Sequence, residues 1–143
     1  MTQHIFRFGM DVTDGDASMK QLLGGKGANL AEMARAGLPV PPGFTLSTEV
    51  CAKSVARGGD LPDELRPELD DAVRALEAAM DKRFGDAERP LLVSVRSGAA
   101  ISMPGMMDTV LNLGLNDAVA AGLARDPARA RWAWDCYRRF IEM

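Results

Sequence analysis

The chain has 143 residues, 47% of them apolar and 26% charged, enough apolar material for a packed core and too much for wholesale disorder. Its formal net charge of −3, with only Arg138-Arg139 locally basic near the end, argues against DNA or RNA as a partner, which needs a basic patch. Two cysteines, Cys51 and Cys136, form no CxxC or Cys/His cluster, so a zinc site is unsupported and a reducing compartment is expected. The first residues, MTQHIFRFGMD, lack the apolar core of a signal peptide, and no apolar run is long enough to span a bilayer. A soluble, cytoplasmic protein with no membrane partner is expected.

In chain order, residues 4–8 (HIFRF) alternate loosely and predict a strand, and Asp11 to Asp16 a turn. Paired Gly24-Gly25 do not suit a helix interior. From Gly27 the pattern turns helical, with Leu30, Met33 and Ala34 on one face, and Gly37 ends it as a left-handed cap. Pro39, Pro41 and Pro42 force an extended run. A strand follows over Gly43 to Leu46, then a helix capped by Ser47 or Thr48 and running to about Arg57. Cys51 shares a face of that helix with Val55 and is read as buried.

Gly58-Gly59 break the chain, and Pro62 and Pro67 suit a helix's first turn. Leu69, Val73, Leu76, Met80 and Phe84 then give the clearest amphipathic spacing in the chain, stopped by Gly85. Residues 91–95 (LLVSV) read as a buried strand, 110–115 as extended or turning, and 116–124 and 128–142 as helices. Trp132, Trp134, Tyr137 and Phe140 are read as core. The order predicts a mixed α/β layer structure. The chain stops inside a helical pattern without a cap, the ending expected of a truncated piece.

Two cations framed by glycine stand out. Lys26, in Gly24-Gly25-Lys26-Gly27, opens a helix whose first N–H groups are unsatisfied and partly positive, an arrangement suited to phosphate. It is not a Walker A loop: Lys20 stands where that motif has its first glycine, and Gly27 where it has Ser or Thr. A plain turn with a solvated lysine is the simpler alternative. Arg96 follows the strand at 91–95, at the strand end where α/β folds place ligand contacts, and its guanidinium can grip two phosphate oxygens. The loop after it holds Gly98 and Gly105, whose N–H groups can form an anion nest, and the hydroxyls of Ser102 and Thr109. Asp108 lies in the same loop, with Met103, Met106 and Met107 able to shield the site or line an adenine pocket. Core methionines and a salt-bridged Arg96 remain the alternative. His4, the lone histidine, is read as structural, and Asp70-Asp71 as a solvated helix face.

The segment GGKGANLAEMARAGLPVPPGF resembles the opening of the phosphoenolpyruvate-utilising dikinases. LLVSVRSGAAISMPGMMDTVLNLGLND, with its SMPGMMDT loop, narrows the resemblance to the pyruvate phosphate dikinases. The likeness runs from about residue 5 to the end. It implies an α/β (α+β) fold: the first lobe of an ATP-grasp-like domain over residues 1–111, and the start of a helical insertion over 112–143. It implies that Lys26 and Arg96 contact ATP phosphates, and that the loop 101–109 lies over them. It also implies Mg²⁺ with ATP, and conversion of ATP, pyruvate and phosphate to AMP, phosphoenolpyruvate and diphosphate through a phosphohistidine. The carrier histidine, the metal-binding acids and the pyruvate-handling barrel are not in these residues, and His4 does not sit in the carrier motif. No catalytic residue and no metal ligand is therefore assigned within this chain, which is expected to be inactive alone. Pyruvate and phosphate would be partners only of the full-length enzyme, for which a homodimer is an open expectation. A non-catalytic nucleotide-binding or scaffold fragment, and a sibling such as a phosphoenolpyruvate synthase, stay open. Lys26 and Arg96 are expected to converge on one cleft.

Overall fold

The computed structural model describes residues 2–98 and 109–143. Helices and short antiparallel strands are mixed along the chain, as the α/β expectation has it. They fall into two compact units. One contains the described residues up to Ala79, together with Gly98; the other contains Met80–Ser97 and the described residues through Met143.

The first unit opens with β1 (Ile5–Phe8), paired antiparallel with β2 (Gly43–Leu46) from Ile5↔Leu46 to Phe8↔Gly43. Helix α1 (Lys20–Arg35) packs on this ribbon and buries Leu23, Ala28 and Ala31, with Phe6 of β1 in the same core. Gly37 caps α1 at φ 80°. Its N–H donates to the Ala34 carbonyl (3.1 Å) and that of Leu38 to Met33 (3.1 Å), which satisfies carbonyls left over at the helix end. Ser47, fully buried, caps α2 (Thr48–Ala56) by accepting from the Val50 N–H at 3.4 Å. Cys51, expected inside, is exposed, and its neighbour Val55 is 78% exposed: α2 buries only Val50.

Helix α3 (Arg66–Met80) turns Ala72 and Leu76 inward and leaves Asp70 and Asp71 in solvent, with Asp71 paired to Arg74 at 3.0 Å. The outer edge of β1 is closed by acids. Glu68 accepts from the N–H groups of His4 (2.9 Å) and Ile5 (2.8 Å), and Asp14 from that of Arg7 (2.8 Å). Occupied strand donors cannot template another strand. His4 is structural here, its Nδ1 3.4 Å from Glu68.

Helix α3 stops at Met80 rather than reaching Phe84. Asp81 takes φ 52°, and the chain then folds back so that Arg83 bonds Arg89 (2.9 Å) and Leu91 (2.8 Å). In the second unit, the run predicted as a buried strand over 91–95 divides. Leu91 is buried but lies outside the strand, and β3 (Val93–Arg96) is mostly exposed, with Val95 at 46%. It pairs antiparallel with β4 (Thr109–Leu113), through a register shift between Val93 and Val95 opposite Asn112, which sits at φ 58°. Two helices follow: α4 (Asp117–Leu123), capped by Asn116, and α5 (Ala130–Glu142). The aromatics of α5 are not all core, since Trp132 and Trp134 are half exposed. No described helix is long and apolar enough to cross a membrane.

Candidate functional site

Lys26 owes its position to one backbone break. Within α1, Gly24 has φ 70° and ψ 167°, so the helix is interrupted there and restarts at Gly25. Such a φ is strained for any residue with a Cβ. Lys26 is therefore the second residue of a fresh helical turn, and it is exposed. Gly25, Lys26 and Gly27 make up that first turn, whose N–H groups point toward the N-terminal, partly positive end of the helix. Gly27 has a different reason to be glycine. A Cβ there would stand 2.8 Å from Cγ2 and 3.1 Å from Oγ1 of Thr45 on β2. Close packing of helix on strand, rather than approach to a ligand, accounts for that glycine. Thr48 Oγ1 donates to the Gln21 carbonyl at 2.8 Å and ties α2 to the turn before the break. Neither the Thr45–Gly27 approach nor the Thr48–Gln21 hydrogen bond was signalled in the sequence, because the partners lie 18 and 27 positions apart.

Arg96 is the last residue of β3, exposed, and directly opposite Thr109 at the start of β4. Cross-strand neighbours of this kind put their Cβ atoms about 5 Å apart. Two predicted site residues are thus adjacent. Ser102, Met103, Gly105, Met106, Met107 and Asp108 lie outside the described residues, in the connection from β3 to β4. Gly98 is described, and no heavy atom of another described residue lies within 4 Å of where its Cβ would be. Packing against the described residues does not explain its identity. Lys26 belongs to the first unit, Arg96 and Thr109 to the second.

A hollow of about 360 Å³ in the first unit is lined by Gln3, Ile5, Arg7, Val12, Asp14, Glu68 and Ala72, and contains none of the predicted site residues. Its two acids are those that hold the edge of β1, so its polar groups serve the fold. Among the described residues no group of three or more His, Cys, Asp or Glu is placed to hold a metal ion.

The family model "Pyruvate phosphate dikinase, AMP/ATP-binding domain" matches residues 20–66 and 59–135. Similar curated proteins include pyruvate, phosphate dikinase 2 of Zea mays, 58% identical over 99% of this chain and 16% of that protein. Pyruvate, phosphate dikinase 1, chloroplastic, of Oryza sativa subsp. japonica is 59% identical over 99% of the chain and 15% of its own length. The pyruvate, phosphate dikinase of Rhizobium meliloti (strain 1021) is 51% identical over the whole chain and 16% of its own length. A mixed α/β fold, a glycine-framed lysine at a helix restart and these matches define a nucleotide-binding domain of the dikinase class. The chain belongs to the pyruvate phosphate dikinase family, as part of its AMP/ATP-binding domain. It spans about one-sixth of the length of the curated relatives it matches.

Proposed function

We propose that this chain forms the first lobe of an ATP-grasp-like domain and that Lys26 and Arg96 together hold the phosphate tail of ATP. The observation that carries the reading is the helix restart at Gly24, which sets Lys26 among first-turn N–H donors. Phosphoryl transfer asks the protein mainly for positioning and neutralisation of charge. An ammonium acts as a point charge and a guanidinium as a rigid two-toothed donor, so the pair grips neighbouring phosphate oxygens in different ways. Thr109, beside Arg96, adds a hydroxyl. Gly98, two residues beyond Arg96, adds no side chain to the approach.

Mg²⁺ supplies further neutralisation when it accompanies the triphosphate. The described residues offer no cluster to hold it, so none of them is assigned to the ion. In the longer protein the activity is that of a pyruvate, phosphate dikinase: ATP, pyruvate and phosphate become AMP, phosphoenolpyruvate and diphosphate, through a phosphohistidine carried outside these residues. The region from 112 onward begins the helical part of the domain.

Calorimetric titration of the 143-residue chain with Mg·ATP tests the retained half-site. Saturable binding supports it. No binding at millimolar nucleotide would reduce the chain to a scaffold fragment. In the full-length protein, Lys26→Ala and Arg96→Ala are each expected to abolish ATP-dependent histidine phosphorylation while far-UV dichroism stays unchanged.

A further inference from the structure

Helix α1 is kinked at Gly24, so the regular ladder of a helix does not carry orientation from the turn Lys20–Leu23 into the turn that bears Lys26. A single helical turn is not stable by its own hydrogen bonds, because nucleation fixes several residues for one bond. Contacts from elsewhere must therefore set how the two parts of α1 meet, and with that the direction of Lys26.

The corner between β2 and α2 reaches both parts. Before the break, Thr48 Oγ1 donates to the Gln21 carbonyl at 2.8 Å. Gln21 stands four residues before Gly25, so this is the carbonyl that an unbroken helix would turn toward the first residue of the restart. After the break, Thr45 lies so close to Gly27 that a Cβ there would stand 2.8 Å from its Cγ2. The corner itself is firmly held. Ser47 is fully buried, its N–H donates to the His4 carbonyl (2.9 Å), and its Oγ accepts from the Val50 N–H (3.4 Å). Lys26 lies in the chain between the two contacts, beside Gly27. The start of α2 does not itself call for a hydroxyl at position 48, since Ser47 already supplies the cap.

We propose that Thr48 is a positioning residue for Lys26: by holding the Gln21 carbonyl it fixes the turn before Gly24, while Thr45 backs the turn after it, and the two together aim the ammonium at the phosphate tail. The inference rests on the reading that Lys26 holds that tail, and adds the residue that keeps it there.

Equilibrium binding of Mg·ATP and of adenosine tests this, in the full-length protein with its carrier histidine replaced so that bound nucleotide is not consumed. Thr48→Val keeps the shape and removes the hydroxyl. It should weaken Mg·ATP about fivefold, the effect of one neutral hydrogen bond, and leave adenosine unchanged. Thr48→Ser keeps the hydroxyl and should bind both ligands as wild type does. In a Lys26→Ala background, Thr48→Val should weaken Mg·ATP no further, because the group it acts through is gone. Wild-type Mg·ATP affinity in Thr48→Val overturns the proposal alone when Lys26→Ala by itself weakens binding. When Lys26→Ala by itself binds as wild type does, the reading of Lys26 fails and the proposal falls with it. A full additional loss in the double variant, a matching loss of adenosine affinity, or a Thr48→Ser variant as weak as Thr48→Val makes Thr48 a structural residue only and overturns the proposal as well. If Thr48→Val does not fold, Thr48→Ala is measured in its place with the same expectations; failure of both to fold counts against the proposal.

Discussion

Gly122 on α4 stands where a side chain does not fit. A Cβ there would overlap the Ala87 carbonyl oxygen, with the carbonyl carbon 2.9 Å away, and backbone atoms cannot swing aside as a side-chain end can. Gly122→Ala is expected to cost about 1–3 kcal/mol, read as a lowered thermal midpoint. Gly98→Ala, with nothing within 4 Å, should leave that midpoint unchanged. Tyr137 is the only tyrosine in the chain, so its titration can be followed alone. The hydrogen bond to Asp117 holds its phenol above the usual value of 10.0. A raised folded pKa favours the protonated form in the native state. The stability it contributes is whole below about pH 10 and fades as pH rises through the folded value. Asp117→Asn should bring the phenolate absorbance transition back toward 10.0. No downward movement in that variant would remove Asp117 as the cause.

At the scale of elements, local chemistry was readable and long-range chemistry was not. The Gly37 cap and the Ser47 cap are each written within a few residues, and both stand where the pattern puts them. Removing the Ser47 hydroxyl takes the acceptor from the Val50 N–H at a fully buried position, so Ser47→Ala should cost about 1 kcal/mol, seen as a lower denaturant midpoint. Helix α3 misled because Phe84 sits at helical spacing for another reason: its ring packs against Gly114, where an added Cβ would meet it at 3.2 Å. A residue kept apolar by the second unit continued the helical stripe of the first. Likewise the LLVSV run owes much of its apolar look to Leu91, which is buried beside the strand rather than in it. The register shift opposite Asn112 left no trace in composition, since it depends on one asparagine adopting φ 58°.

At the scale of the whole molecule, the site was legible as residue types and as one local geometry. Glycines around a lysine announced a helix start near Lys26, but not the helical turn from Lys20 that precedes it, which Gly24 interrupts at a positive φ that suits a residue without a Cβ. The pairing of Arg96 with Thr109 was not announced, since strand register is set by partners 13 positions apart rather than by neighbours. The proposed convergence of Lys26 and Arg96 on one phosphate tail is a statement about distance, which charge and spacing do not encode.

Binding of Mg·ATP and of adenosine to the wild-type chain and to Lys26→Ala and Arg96→Ala tests that convergence most directly. If both cations hold the phosphate tail, each variant should weaken Mg·ATP by about tenfold or more, as loss of a charged hydrogen bond does, and leave adenosine affinity unchanged. Wild-type affinity for Mg·ATP in either variant, with the fold intact, would contradict the account.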